Sequence, residues 1–374
     1  MKNLVFYLLL FLVLSSHAQE ATVSTSQDYL SYKWSRLATG MPESWYATED
    51  AKHIADSVLK YQTEIGGWAK NQNYHKGYNQ KEWAKIIAEG IGATFDNGAT
   101  ITEMKFLAKM YNQNKDERYK QAFNKAINYI LISQYENGGW PQFYPTRPSK
   151  SVSYNTHITY NDNAMINVMT LLKDVLDDKP FYQKMEIGKD VKDKIRNAFN
   201  KGIDCILKTQ IIVDSQPTIW CAQHDEKSLK PAKARAYELA SFSGAESVGI
   251  ALLLMDIAHP SKEVIYAVNG AKSWFEQHKI EGVKIQYFTN AEGLKDVKVV
   301  ADKNAPALWA RFYDLETQQP FFCDRDGIKR NALAELGYNR RTGYSWYTSG
   351  PAKVIEKYEA WNKKWAANVE IYSQ

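Results

Sequence analysis

Three stretches of this chain repeat one order of apolar and polar positions. In the first, Ile54, Val58 and Tyr61 lie at helical spacing, Gln62 follows, and then Gly66-Gly67-Trp68. In the second, Phe123, Ile127 and Ile130 lead to Gln134 and Gly138-Gly139-Trp140-Pro141. In the third, Phe199, Ile203 and Ile206 lead to Gln210 and Thr218-Ile219-Trp220-Cys221. A weaker fourth copy covers Val264–Trp274 with Gly282. Apolar residues three and four apart predict amphipathic helices. The paired glycines supply backbone angles that other residues reach only at a cost, as a helix stops. The tryptophans recur at about 70 to 80 residues, longer than a short solenoid repeat, yet the grammar is the same.

A second apolar helix pattern lies between these units each time: Ile101–Tyr111, Ala164–Val175 and Val248–Ile257. Each follows a polar cluster. The clusters are Thr94-Phe95-Asp96-Asn97-Gly98-Ala99-Thr100, Tyr160-Asn161-Asp162-Asn163, and the longer Ala232–Glu246, which holds Arg235, Tyr237, Glu238, Ser241 and Ser243. The alternation predicts a mainly α fold, an (α/α) toroid or barrel of antiparallel helix pairs with long loops at one end. The three clusters then converge on one cleft. Polar groups at the mouth of a buried helix cost desolvation free energy unless they have partners or a task.

Toward the C-terminus, Ile285-Gln286-Tyr287-Phe288 and Val297–Val300 predict a small β-hairpin. Leu333–Leu336 with Arg340-Arg341 reads as a helix and turn, and Tyr358–Trp365 closes the chain. No linker or low-complexity segment interrupts the pattern, so residues 45–374 read as one catalytic-size domain after a leader at 19–44. Before that, Met1–Ala18 has the form of a cleaved secretory signal: Lys2, an apolar Leu4–Leu14, and Ser16-His17-Ala18. Its apolar run is too short for a comfortable membrane span. A secreted or periplasmic chain is expected, without a membrane after cleavage.

Composition changes this picture little. At 44% hydrophobic and 24% charged the chain is ordinary for a globular protein. Loss of Lys2 with the signal lowers the formal charge from +5 to +4. That mild excess suits an anionic partner without demanding one, and no Lys/Arg-rich run points to nucleic acid. The three cysteines allow at most one disulfide; Cys205 reads as core and Cys221 is left open. The 24 Tyr and 11 Trp serve either a large core with amphipathic rims or a carbohydrate cleft.

Asp96 and Asp162 lie 66 residues apart, near one repeat, and both stand at the start of a helix. Either they are N-caps, accepting backbone N–H bonds, or they ligate. One cap needs one side chain, and Asn97, Asn161 and Asn163 exceed that need. Carboxylate and amide oxygens in a hydrated cleft suit a hard cation such as Ca²⁺. No EF-hand spacing is present. Arg235 reads equally as the partner of Glu238 or Glu246 on a helix, and Arg311 as a cation against Phe312-Tyr313. His224 beside Asp225 reads as a hydrogen-bonded structural residue, since no G-x-S-x-G elbow accompanies it.

These motifs together resemble polysaccharide lyase family 10, the pectate lyases. The likeness rests on Thr94–Thr100, Ile158–Met165, Trp220–Asp225, Arg235-Ala-Tyr237-Glu238 with Ser243–Ser247, and Trp309–Asp314. It runs from about Trp45 to Tyr347. The resemblance implies calcium-assisted cleavage of polygalacturonate by β-elimination to unsaturated oligogalacturonides. It implies Arg235 as catalytic residue, Asp96 and Asp162 at the calcium and substrate centre, and Arg311 as a holder of substrate carboxylate. Lys70, Asn97 and Tyr313 are carried over as further substrate contacts. A monomer is expected.

Two other classes share the pattern. A toroid glycoside hydrolase would need two carboxylates as acid and base, and Glu238 with Glu246, or Asp96 with Asp162, would serve. A pectin-capturing protein would use the aromatics and Arg311 without turnover. A toroidal terpenoid cyclase is excluded by the secretory signal and the lack of an Asp-rich run.

Overall fold

The computed structural model describes residues 28–90, 92–147 and 154–365; the expected signal segment lies outside them. The helices in chain order are α1 (Trp34–Thr39), α2 (Glu49–Lys60), α3 (Gln80–Ala88), α4 (Ile101–Asn114), α5 (Glu117–Ser133), α6 (Ala164–Leu176), α7 (Pro180–Gln183), α8 (Lys189–Thr209), α9 (Glu246–Met255), α10 (Lys262–Gln277), α11 (Tyr338–Thr342) and α12 (Pro351–Trp365). Strands among the described residues form only two-stranded pairs. The fold is mainly α.

The long helices form two rows. Along one, α2 packs on α5, α5 on α8 and α8 on α10; along the other, α4 packs on α6, α6 on α9 and α9 on α12. Cross-contacts of α2 with α4, α6 with α8, and α9 with α10 join the rows. Sequence explains which row is inner. Helix α9 reads ESVGIALLLM and has no polar face, whereas α8 carries lysines and aspartates on one side and buries Ile195, Ala198, Cys205 and Ile206 on the other. This is the layering of an (α/α) toroid.

The recurring Gln and Trp are the fasteners. The indole N–H of Trp68, Trp140 and Trp220 donates to the carbonyls of Val58, Ile130 and Ile206 at the end of its own preceding helix. The amide nitrogen of each Gln donates twice. Gln62 reaches Gly66 and Ala122, Gln134 reaches Gly138 and Ala198, and Gln210 reaches Thr218 and Ala267. The second bond always lands on the next outer helix, α5, α8 or α10. Gly66 and Gly138 adopt φ of 106° and 92°, and a Cβ there would meet the carbonyl oxygens of Lys125 and Lys201 at 2.4 and 1.9 Å. Glycine is thus required both by backbone conformation and by contact.

Two features depart from the sequence pattern. The fourth unit is completed by Trp309, whose indole donates to Phe275 on α10, and not near Gly282. The hairpin Val283–Thr289 with Lys295–Ala301 is inserted between α10 and its tryptophan. The stretch assigned to the leader is also partly core. Leu37 and Ala38 are fully buried, and Trp34 donates to Glu103 of α4 at 2.7 Å. Cys205, Cys221 and Cys323 are all buried and free. His224 is buried, accepting from the Cys221 N–H through Nε2 and contacting the Leu229 carbonyl through Nδ1. Burial lowers its pKa to about 4, which keeps it neutral and structural.

Candidate active site

Two turns with the same backbone conformation enter α4 and α6. In the first, Asn97 and Gly98 have φ of 53° and 74°; in the second, Asp162 and Asn163 have φ of 53° and 57°. Left-handed conformations are uncommon outside glycine, and Asn and Asp tolerate them best because their short polar chains bond locally. Thr100, at φ 67°, is a sterner case because it is β-branched. Its hydroxyl accepts from Trp68 N–H and donates to the Thr94 carbonyl, tying the turn to the helix unit before it. Ser247 repeats the first of those bonds, accepting from Trp220 N–H at 3.0 Å. Neither aspartate is an N-cap: the residues preceding α4 and α6 make no side-chain cap bond. Freed from capping, both carboxylates belong to the cleft.

Their surroundings differ. Asp96 is 4% exposed and forms an ion pair with Lys70. Asp162 is open to solvent and accepts one hydrogen bond, from the Asn161 amide at 2.8 Å. It nevertheless sits on a crowded floor. Partial burial raises its pKa, Arg311 and Arg235 oppose that, and the like charges of Asp96 and Glu246 add to it.

Arg235 occupies a turn and not a helix, so its pairing with Glu238 is closed by the backbone bond Glu238 N–H to Arg235 carbonyl at 2.9 Å. Its Nε donates to Glu238 at 2.7 Å and a terminal nitrogen completes a fork. Burial alone would raise the Glu238 carboxyl, but Arg235 and a hydrogen bond from the Tyr344 hydroxyl at 2.9 Å bring it below its ordinary value. Burial lowers Arg235 less than Glu238 raises it, so the guanidinium holds its protons firmly. Its side chain remains 41% exposed toward the cleft.

Arg311 is fixed from three sides. It forms an ion pair with Glu246, donates to the Asn161 amide oxygen at 3.1 Å, and lies 4.6 Å from the Tyr344 ring centre. Its Nε is buried without a partner among the described residues. The aromatic against the cation is therefore mainly Tyr344, from 33 residues further on. Tyr313 is 1% exposed; its hydroxyl donates to the His278 carbonyl and accepts from Ala310 N–H. Tyr313 thus stands behind the cleft surface, with its hydroxyl bonded inside the wall.

Two adjoining cavities result, sharing Asp162 and Arg235. The inner one, of ≈ 110 Å³, is polar and has Lys70, Asp96, Asn97, Gln142 and Glu238 among its walls. The outer one, of ≈ 500 Å³, opens beneath the hairpin and the 341–347 segment, with Arg311, Ile285, Tyr287, Tyr344 and Tyr347. Arg341 clamps the hairpin to this segment by a two-pronged bond to Asp296, at 2.9 and 2.7 Å.

The sequence model of the family described as pectic acid lyase matches residues 62–355. The chain belongs to that family. Among solved structures, the family 10 polysaccharide lyase from Cellvibrio cellulosa is similar at 34% identity and a TM-score of 0.72, covering 87% of this chain and 94% of that one. An aspartate-to-alanine mutant of that lyase, in complex with trigalacturonic acid, is similar at 35% identity with the same TM-score, covering 87% and 95%. No curated protein matches. This pectic acid lyase relative is accordingly a polysaccharide lyase, and the hydrolase and capture readings fall away.

The structure of the lyase brings Lys70, Asp96, Asn97, Asp162, Arg235 and Arg311 to these two cavities and leaves Tyr313 behind them. Sequence reasoning missed Glu246 as the partner of Arg311, Tyr344 as the bridge between Arg311 and Glu238, and Asn161 as a contact of both Asp162 and Arg311. The available signal was the Gly343–Tyr347 run, where three of five residues are aromatic. A different cluster also meets the spacing of metal ligands: His157, Asp225 and Glu226 offer atoms within 4.8 Å of one another. Asp225 already uses one oxygen on the backbone and hydroxyl of Ser228, which stabilises its own turn.

Proposed function

We propose that this lyase is a secreted pectate lyase that cleaves polygalacturonate by calcium-assisted β-elimination, with Arg235 as the catalytic residue. The observation that carries the proposal is convergence. Residues 70, 96, 162, 235 and 311, from five separate stretches, surround one charged cleft whose outer wall includes Tyr287, Tyr344, Trp346 and Tyr347.

The donor set fits a hard cation. Asp162, with no cationic partner within ion-pair distance among the described residues, is the primary ligand; Asp96 joins it as Lys70 shares or yields its oxygen. When bound there, calcium would neutralise substrate carboxylate and favour the charge that develops when a proton leaves the neighbouring carbon. Arg311, held rigid by Glu246 and Tyr344, presents the part of its guanidinium that lines the outer cavity to the same carboxylate. Lys70 and Asn97 bind the sugar on the inner side.

The proton at C5 lies α to the carboxylate. Arg235 is fully protonated, so it acts only by exchange: it passes one proton to Glu238 along the existing fork as it takes the C5 proton. The C5–H bond breaks, a C4–C5 double bond forms, and the C4–O bond breaks. The leaving oxygen is protonated by solvent. A positioned base contributes about 10²–10⁴-fold. The low pKa of Glu238 opposes this relay, and the substrate's own anion, entering beside it, raises that pKa by like-charge repulsion.

The test is incubation with polygalacturonate while following the ultraviolet absorbance of the unsaturated product, with and without chelator, alongside the melting temperature with added calcium. Product that forms equally well in chelator would remove calcium, and no product at high enzyme would remove the substrate assignment.

A further inference from the structure

We infer that the cavity on the far side of Phe143 is a second binding site for the substrate chain, in which Arg147 takes a uronate carboxylate several sugars away from Arg235. This rests on the proposed pectate activity.

The starting point is a cation without an anion. Arg147 is half-buried, and among the described residues no carboxylate lies within ion-pair distance of it. Its only polar side-chain contact there is a long bond to the Ala93 carbonyl, 3.4 Å. Desolvating a guanidinium without a counter-charge is unfavourable, and burial lowers its pKa accordingly. The guanidinium rests 4.7 Å from the Phe143 ring centre, while Lys70 of the active cleft approaches the same ring at 5.8 Å. One buried phenyl therefore separates the two cations.

The cavity around Arg147 measures ≈ 600 Å³ and is lined by Trp83, Ile87, Ile65 and Pro145, with Gln62, Thr63, Glu64 and Thr146 as further polar walls. An aromatic and aliphatic surface with a few placed polar groups is the usual make-up of a ligand pocket. Helix α3, which supplies Trp83 and Ile87, has no buried residue, and Ile87 is 48% exposed. Trp83 meets the Tyr61 ring edge-on at 5.3 Å between centres, and the rest of the helix's apolar side, with Ile87, lines this space.

Two chain segments run from one site to the other. Residues 92–96 and 142–147 lie antiparallel, joined by the bridge of Thr94 with Phe143 and by bonds from the Thr94 hydroxyl and Phe95 N–H to the Gln142 carbonyl. Asp96 and Gln142 end in the inner catalytic cavity, and Ala93 and Arg147 end in the distal one. The three steps from Ala93 to Asp96 span at most about 10 Å, which an oligosaccharide of a few sugars bridges. A polymer with a carboxylate on every unit offers a charge at that distance without changing direction.

The experiment compares hexagalacturonate with trigalacturonate as substrates. Replacing Arg147 with glutamine should lower the ratio of their kcat/KM values about tenfold, through KM for the hexamer, the loss of one charge-assisted contact. Arg147→Lys should recover part of it. Glu64→Gln, an exposed change at the same cavity that poses little risk to folding, should raise the ratio about twofold by removing a repelling charge. An unchanged ratio in Arg147→Gln, or in Glu64→Gln should Arg147→Gln not fold, overturns the inference while leaving the activity in place. A wild-type protein that yields no unsaturated product from either oligomer removes the activity, and this site with it.

Discussion

The turns at Asp96 and Asp162 are the same backbone shape in successive repeats, but Asp96 holds the place of Asn161 and Asp162 that of Asn97, and the two carboxylates have opposite fates. Asp96 is buried and neutralised by Lys70; Asp162 is open, bonded once to an amide, and pressed by other acids. A buried ion pair holds its geometry because breaking it strands a charge. A carboxylate short of partners stores unfavourable free energy that an incoming cation relieves. The two turns thus divide the work: one orients, the other receives.

The largest expected effect tests the residue both turns face. Arg235→Ala should reduce kcat on polygalacturonate by about 10²–10⁴-fold, while calcium still raises the melting temperature. Near-normal turnover would remove Arg235 from the chemistry. Glu238→Gln should fall in the same direction and by less, and an unchanged kcat would discard the relay.

Next comes the comparison itself. Asp162→Ala should abolish the calcium-induced shift in melting temperature. Lys70→Ala should keep that shift but destabilise the fold by about 1–3 kcal/mol, moderated because Lys70 is itself a third exposed. Urea unfolding with and without calcium reads both. Equal responses in the two variants would end the division proposed here.

The smaller effects concern pH. Asp162 has a raised pKa in the folded state, so its charged form is disfavoured by folding. Without calcium, its contribution to stability is most favourable at low pH and is lost as pH rises through that raised value. Calcium binding has the reverse dependence and should weaken on the acid side, beginning above the ordinary carboxylate range. Asp162→Asn should therefore slightly raise the melting temperature of the calcium-free protein at neutral pH and flatten this dependence, as followed by differential scanning calorimetry. A fall would mean that the carboxylate stabilises the fold.

Much of this was legible in the chain. The Gln–Trp grammar marked three of the four units because both side chains make the same bonds in each. The fourth was displaced to Trp309, since an inserted hairpin lengthens the spacing without altering the bond. Asp96, Asp162, Arg235 and Arg311 announced themselves by being more polar than capping requires. Tyr313 did not separate from Tyr344 in the sequence: both are tyrosines near an arginine, and only packing decides which hydroxyl is spent within the wall. Arg147 was silent too, because an arginine beside two prolines has no pattern that betrays the missing anion.

The glutamine fasteners have a consequence for how such enzymes diversify. Each one reaches forward, from a finished unit to the next, and the series stops at α10, whose end lacks one. The β-hairpin stands at that joint, where the Ile280–Leu308 backbone pair closes its base and no glutamine fastener is crossed among the described residues. Exchange of that hairpin between relatives should therefore reshape the roof over the sugar while sparing the scaffold, making it a natural graft point for altered chain-length or ester preference.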